Sequence, residues 1–241
     1  MADPRINVIN KRLSKINRII AVSSGKGGVG KSMIATTLAL ELHEQGNKVG
    51  LLDIDFTSPS THTILGVKNV QPKEDKGLIP PQVYGLEYMS LIYFSGDQAA
   101  PLRGEDTSNA LIELLAVTIW SDLDYLVIDM PPGIGDAVLD LVRLVPRIEF
   151  LIITTPSQLA FQTVKKLVIL LRELNITILG IVENMKIQDG QEIKKKTEEL
   201  GIGLLASIAY DSKVEESIGN TRKIKETNIS QKIKEVIKST F

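Results

Sequence analysis

Eight residues near the N-terminus limit the folds open to this chain more than any other feature. Gly25-Lys26-Gly27-Gly28-Val29-Gly30-Lys31-Ser32 fits the phosphate-binding pattern G-x-x-x-x-G-K-[ST] at every fixed position. Ile19-Ile20-Ala21-Val22-Ser23 before it is a short apolar, β-branched run that reads as a buried parallel strand. Residues 33–40 after it carry apolar side chains at helical spacing. Strand, glycine loop and helix in that order turn backbone N–H groups inward around phosphates, and the helix N-terminus adds its positive dipole end. A glycine-rich turn that binds nothing would need neither flank. In this pattern Lys31 reaches the β- and γ-phosphates and the Ser32 hydroxyl holds Mg²⁺. Lys26, directly after the first glycine, is extra to the pattern and calls for a reason of its own.

Strand-like and helix-like segments alternate along the rest of the chain. Residues 48–53, 86–91, 125–129, 150–155, 176–182 and 202–208 read as strands, and 109–120, 135–145 and 159–174 as helices. Such alternation means parallel strands joined by crossover helices. The expected fold is α/β, a doubly wound, mostly parallel sheet with helices on both faces. Residues 1–241 read as one domain, with segment 1–18 and a C-terminal helix over about 228–241 as appendages. Residues 67–81, with Pro72, Pro80 and Pro81, read as a surface loop.

Composition removes several function classes. Hydrophobic residues at 43% and charged residues at 24% are ordinary for a soluble globular protein. A net charge of −1 gives no global field that would draw the chain to nucleic acid or to a membrane. No apolar run is long enough to span a bilayer, and the N-terminus has no secretory apolar core, so the cytoplasm is the expected compartment. The chain has no cysteine, which removes disulfides, cysteine nucleophiles and thiolate-held metal or iron–sulfur sites. His43 reads as a solvated residue on the helix after the loop, and His62 as part of a polar loop. Neither has a partner at metal-ligand spacing.

Both ends carry amphipathic patterns. Ile6, Ile9, Leu13 and Ile16 share a face among Arg5, Lys11, Arg12, Lys15 and Arg18; Ile229, Ile233, Val236 and Ile237 do so among Lys232, Lys234 and Lys238. Such a helix either lies on a membrane or packs its stripe on the sheet, and packing is the expectation here.

Carboxylates stand where strands end, and ligands of open α/β sheets bind there. Asp53 and Asp55 close one strand and would share a side if it runs on to Asp55. Two carboxylates beside a Mg-triphosphate suit metal contact and orientation of an attacking water; the alternative is a helix or loop cap. Asp129 ends a second buried strand and fits the acidic support for Mg²⁺. Met130-Pro131-Pro132-Gly133 follows, and Gly133 can present its N–H to a γ-phosphate. Asp136 reads as the N-cap of the next helix.

Several segments together resemble the Mrp/ApbC branch of the MinD/ParA ATPases, the group that includes the nitrogenase iron protein. They are the glycine loop with Ser24 before it, Gly50-Leu51-Leu52-Asp53-Ile54-Asp55 with Ser58-Pro59-Ser60, Leu102-Arg103-Gly104, 129–136, Thr154-Thr155-Pro156 and Val182-Glu183-Asn184-Met185. The matches run from about 19 to 211. The resemblance implies an ATP- and Mg²⁺-dependent homodimer that carries or scaffolds iron–sulfur clusters. It implies catalytic roles for Lys26, Lys31 and Asp55, with Lys26 crossing to the partner's nucleotide and Asp55 orienting water. It also implies nucleotide contacts from Gly25 to Ser32, Gly133, Asn184 at the adenine edge, and the Tyr210-Asp211 loop. Metal contacts fall to Ser32, Asp55 and Asp129. Two departures stand out. Family members follow the Glu-Asn-Met segment with a C-x-x-C pair, whereas Lys186-Ile187-Gln188-Asp189-Gly190-Gln191-Glu192 has no cysteine, and Asp189, Glu192 or a histidine could not hold such a cluster firmly. Ala209 stands where proline is common. The ATPase part of the family description carries over; the cluster part would need a cysteine-bearing partner protein. A positioning or partition ATPase acting on membrane or DNA, and a nucleotide-binding module that never hydrolyses, are the alternatives.

Overall fold

The computed structural model describes residues 3–95, 105–187 and 191–241. Helix α1 (Arg5–Leu13), strand β1 (Ile16–Ser24), helix α2 (Lys31–Glu44), β2 (Val49–Asp53) and the short α3 (Thr61–Leu65) open the chain. Two-residue strands β3 (Lys73–Glu74) and β4 (Leu78–Ile79) pair with each other, and β5 (Gln82–Val83) forms a hairpin with β6 (Leu86–Ser90). Then come α4 (Ile92–Ser95), α5 (Glu105–Val117), β7 (Leu123–Asp129), α6 (Asp136–Leu144), β8 (Ile148–Thr154), α7 (Gln158–Glu173) and β9 (Thr177–Lys186). The rest is α8 (Glu192–Glu199), β10 (Leu204–Ala209), α9 (Lys213–Ser217), α10 (Thr221–Ile224) and α11 (Asn228–Thr240).

The main sheet has the order β10-β9-β8-β1-β7-β2-β6-β5, parallel throughout except for β5 at one edge. The expected doubly wound α/β architecture is therefore present. Its strands are apolar at consecutive positions because both faces are covered. In β1, Ile19 and Ala21 join the core under α1, α5, α6 and α7, while Ile20 and Val22 join the core under α2 and α11. The crossover from β1 to β2 leaves a place between them that β7 fills. The C-terminal ends of β1, β7 and β2 thus converge beside the loop that enters α2.

Both terminal helices pack inward. Ile9 and Leu13 of α1 are buried, and Ile229, Ile233, Val236 and Ile237 of α11 are buried against α2 and β10. At roughly 1.5–3 kcal/mol per buried side chain, the α11 stripe is a substantial part of the fold's hydrophobic contact. The helix also carries polar ties to α2. The Ser230 hydroxyl donates to the buried Glu41 carboxylate at 2.6 Å, and Lys234 lies 3.6 Å from it.

Several local expectations change. Ile16 is not on the α1 stripe but begins β1, which extends the strand before Ile19. Trp120 lies beyond the end of α5 and is buried. Segment 67–81 contains the β3–β4 pair. The N-cap position of α6 is Gly135, and Asp136 is in the first turn, where its charge complements the helix dipole. His62 is in α3 rather than a loop. His43 is half-buried and closes over Gly85, whose φ of 83° and missing side chain leave room for the imidazole.

Candidate functional site

The loop between β1 and α2 is built on close approach and left-handed backbone. Gly28 (φ 76°) and Gly30 (φ 82°) adopt a conformation that L side chains rarely take. Gly30 also has no room for a side chain, because a Cβ there would collide with the Asn184 amide. The Ser24 hydroxyl donates to the Lys26 carbonyl at 2.9 Å and steadies the turn. The two lysines then diverge. Lys26 is exposed, whereas Lys31 is only 6% exposed.

Lys31 Nζ donates to Asp129 Oδ1 at 2.5 Å and lies 3.1 Å from Ser32 Oγ. Asp129 is fully buried, and its Oδ2 has no donor among the described residues. Burial pushes the Asp129 carboxyl up to about 7; the Lys31 charge opposes this and the neighbouring Asp53 reinforces it. Burial also raises Asp53, against the hydrogen bonds it receives from Thr61 and from the Asp55 backbone. The base of the loop therefore holds one fixed ammonium, two strained carboxylates and one open carboxylate oxygen.

Strand β2 stops at Asp53, although the Ile54 N–H still donates to the Asp129 carbonyl at 3.0 Å. The condition for a shared side, a strand running on to Asp55, is therefore not met. Asp53 Oδ1 accepts from the Asp55 N–H at 3.0 Å. Its Oδ2 accepts from the N–H groups of Ser60 and Thr61, both at 3.1 Å, and from the Thr61 hydroxyl at 2.7 Å. Asp53 thus caps the entry to α3, the alternative role weighed for it. Thr61 Oγ1 also lies 2.9 Å from the hydroxyl of the fully buried Tyr88. Asp55 is nearly buried and sits on the turn that follows. Sequence reasoning missed Thr57 and Ser58 as supports of Asp55, and Thr61 as a support of Asp53. The signal was there, since Asp followed at two and three residues by Thr and Ser is an Asx-turn pattern.

Gly133 has φ 90°, but its N–H is committed to the Ser24 carbonyl at 2.8 Å. The expected free N–H toward a γ-phosphate is not found; the bond instead pins the β7 exit to the β1 exit.

On the other side of Gly30, Asn184 of β9 is buried and its Nδ2 donates to the Val29 carbonyl at 2.9 Å. Met185 follows at φ 57°. A cavity of about 110 Å³ opens here, lined among others by Gly30, Asn184, Met185, Tyr210, Asp211 and Ile229. Tyr210 is exposed. Asp211 has both carboxylate oxygens engaged at 3.0 Å, Oδ1 by the Lys213 N–H and Oδ2 by the Asn228 N–H. It joins the end of β10 to the start of α11. A larger cavity of about 650 Å³ lies on the Lys26 side, lined among others by Gly27, Pro156, Glu183, Met185, Ile187 and Glu192. Ile187 is 82% exposed, and Leu159 at the start of α7 is 68% exposed. Leu102, Arg103, Gly104, Gln188, Asp189 and Gly190 lie outside the described residues. Among the described residues no three His, Cys, Asp or Glu side chains converge on one point, and no helix is long and apolar enough to cross a membrane.

Comparison with known proteins places this geometry. A solved nucleotide-binding protein from Archaeoglobus fulgidus, in complex with ADP, superposes with a TM-score of 0.78 at 30% identity, covering 92% of this chain and 93% of that one. The septum site-determining protein MinD of Pyrococcus horikoshii, complexed with Mg-ADP, gives 0.68 at 21% identity over 92% and 95%, a likeness of fold. The iron–sulfur cluster carrier protein of Pseudomonas fragi is 39% identical over 226 residues, 86% of this chain and 78% of that protein. That of Methanocaldococcus jannaschii is 37% identical over 251 residues, 95% and 86%. The Escherichia coli K12 carrier protein is 44% identical over 178 residues, and the aligned region spans only 48% of its length. The family model described as "ParA: NUBPL iron-transfer P-loop NTPase" matches residues 15–240. Together with the glycine loop, its buried Lys31–Asp129 pair and the doubly wound sheet, that match makes this chain a member of the ParA/NUBPL iron-transfer P-loop NTPase family.

Proposed function

We propose that this protein is a Mg-ATP-binding and ATP-hydrolysing switch that works as a homodimer and serves iron–sulfur cluster assembly without holding a cluster on its own side chains. The observation that carries this reading is the divergence of the two loop lysines. Lys31 is buried on Asp129, where it can neutralise a triphosphate in its own site. Lys26 is exposed and lines the large cavity together with the exposed apolar side chain of Ile187. An outward-facing lysine on the same cavity as an exposed apolar side chain suits contact with a second copy and with that copy's phosphates.

In this reading Gly25, Gly27, Gly28, Val29 and Gly30 wrap the phosphates, Lys31 holds the β/γ oxygens, and Asn184 with Tyr210 borders the base. Asp211 shapes the base pocket through the backbone bonds it makes. Mg²⁺ fits the oxygen-only donor set of Ser32, Asp129 and Asp55, with the unpartnered Asp129 Oδ2 its clearest invitation; when bound it would neutralise charge developing on the phosphates. Asp55 orients the attacking water, and Lys26 from the partner balances the leaving charge. The residues do little covalent work, so rate comes from position and electrostatics.

The membrane alternative loses its main support. The apolar stripes of α1 and α11 are buried in the fold. The cluster half of the reading follows from composition, since soft anionic ligands hold such clusters and the chain has no cysteine. Two measurements on the purified protein test the proposal. Phosphate release should depend on ATP and Mg²⁺, and its absence would leave only a nucleotide-binding module. Anaerobic reconstitution with iron and sulfide should leave the protein colourless. A stable visible absorption band with about one cluster per dimer would overturn the cysteine-free reading.

A further inference from the structure

Asp55 lies on a turn rather than a strand, and a carboxylate on a turn swings about its side-chain torsions unless something holds it. Here one oxygen is held in three ways. Asp55 Oδ1 accepts from the Thr57 N–H at 3.2 Å, the Thr57 hydroxyl at 2.7 Å and the Ser58 N–H at 3.1 Å. Oδ2 accepts from no group among the described residues. The two N–H donors would be supplied by almost any residues in this turn. The hydroxyl is the one donor that depends on residue type, and it makes the shortest of the three bonds. Hydrogen bonds to an ionised carboxylate are about twice as strong as those between neutral groups.

The frame of the turn is fixed independently. Asp53 holds the Asp55 N–H on one side and the Ser60 and Thr61 N–H groups on the other. What remains free is rotation of the Asp55 carboxylate, and the Thr57 hydroxyl sits where it stops that rotation. We propose that Thr57 is a positioning residue that locks Oδ1 of Asp55, so that Oδ2 alone is presented to the reacting water. This rests on Asp55 as the water-orienting group proposed above. A group that directs a nucleophile must hold one direction, because a misplacement of about 1 Å can cost on the order of 100-fold in rate.

Thr57→Val keeps the shape of the side chain and removes the donor; Thr57→Ser keeps the donor. Thr57→Val should lower kcat for Mg-ATP hydrolysis on the order of 10-fold, with KM and the Mg²⁺ requirement within about two-fold, while Thr57→Ser stays within about two-fold of the unmutated protein. A crystal structure of nucleotide-free Thr57→Val should show the Asp55 carboxylate rotated. An unchanged kcat in Thr57→Val, or equal losses in both variants, would overturn the proposal. So would a raised Mg²⁺ requirement, which would make Thr57 a metal-binding group. If the unmutated protein releases no phosphate, the ATPase reading has failed, and the structure of Thr57→Val decides alone: an unmoved Asp55 carboxylate then overturns the positioning role.

Discussion

The two sides of Gly30 are built differently. On the phosphate side, charges lie within one short loop and the ends of three adjacent strands, and they are locked in pairs: Lys31 on Asp129, Asp53 on Thr61, Asp55 on Thr57. On the base side, Asn184, Tyr210, Asp211 and Ile229 come from β9, the segment just after β10, and α11, and packing and backbone bonds hold them. The first side is a local motif that demands particular residue types at fixed spacing. The second exists only once distant parts of the chain have folded together. Electrostatic damage should therefore be severe and base-independent on one side, mild and base-selective on the other.

The largest effect should come from Lys31→Ala. ATP and GTP binding should both fall by at least about 100-fold, since a buried charge partner is lost. The same change leaves Asp129 buried without its cation, a loss of roughly 3–5 kcal/mol for a broken buried pair. Its carboxyl, at about 7 with Lys31 in place, rises further without it. A folded-state value above the unfolded one, near ~3.9, gives stability that is complete below the unfolded value and is lost as pH rises through the folded value. Melting of nucleotide-free Lys31→Ala should therefore drop between pH 6 and pH 8 more than that of the unmutated protein. Parallel melting curves would show that Asp129 is not the strained partner.

Asp55→Asn comes next. It should slow hydrolysis on the order of 100-fold while Mg-ATP stays bound, because the loop that holds the phosphates is intact. Loss of binding would move Asp55 from the reaction to the structure or the metal.

Asn184→Ala should do least to affinity and most to choice. ATP should lose about 10-fold of its preference over GTP, with little change in affinity for inorganic triphosphate. Equal weakening of all three ligands would mean that Asn184 serves the phosphate side through the Val29 carbonyl, and the contrast between the two sides would collapse.

The same contrast explains what could be read without a structure. The β1–loop–α2 unit was legible because backbone curl and phosphate contact dictate glycines and a lysine at set positions. The sheet was legible because strands covered on both faces carry runs of consecutive apolar residues. The end of β2 at Asp53 was legible too, but the use of the Asp53 carboxylate was not, since that is set by which N–H groups it captures beyond the strand. The fate of the Gly133 N–H depended on how close the exits of β1 and β7 come, a matter of tertiary packing. The inward turn of α11 was expected from its stripe, but its place as a wall of the base pocket, through Asp211 and Ile229, follows only from the assembled sheet.

Mixing two inactive variants tests most directly the claim that Lys26 acts across a dimer. Lys26→Ala lacks the crossing lysine, and Asp55→Asn lacks the water-orienting carboxylate. In a mixed dimer, the site of the Lys26→Ala subunit keeps its own Asp55 and receives Lys26 from its partner. An equal mixture should regain up to about a quarter of the unmutated rate, as random pairing gives half mixed dimers with one working site each. If Lys26 serves its own site, no site in the mixture is complete. Hydrolysis that stays at the level of the separate variants, in a sample shown to contain mixed dimers, would contradict the account.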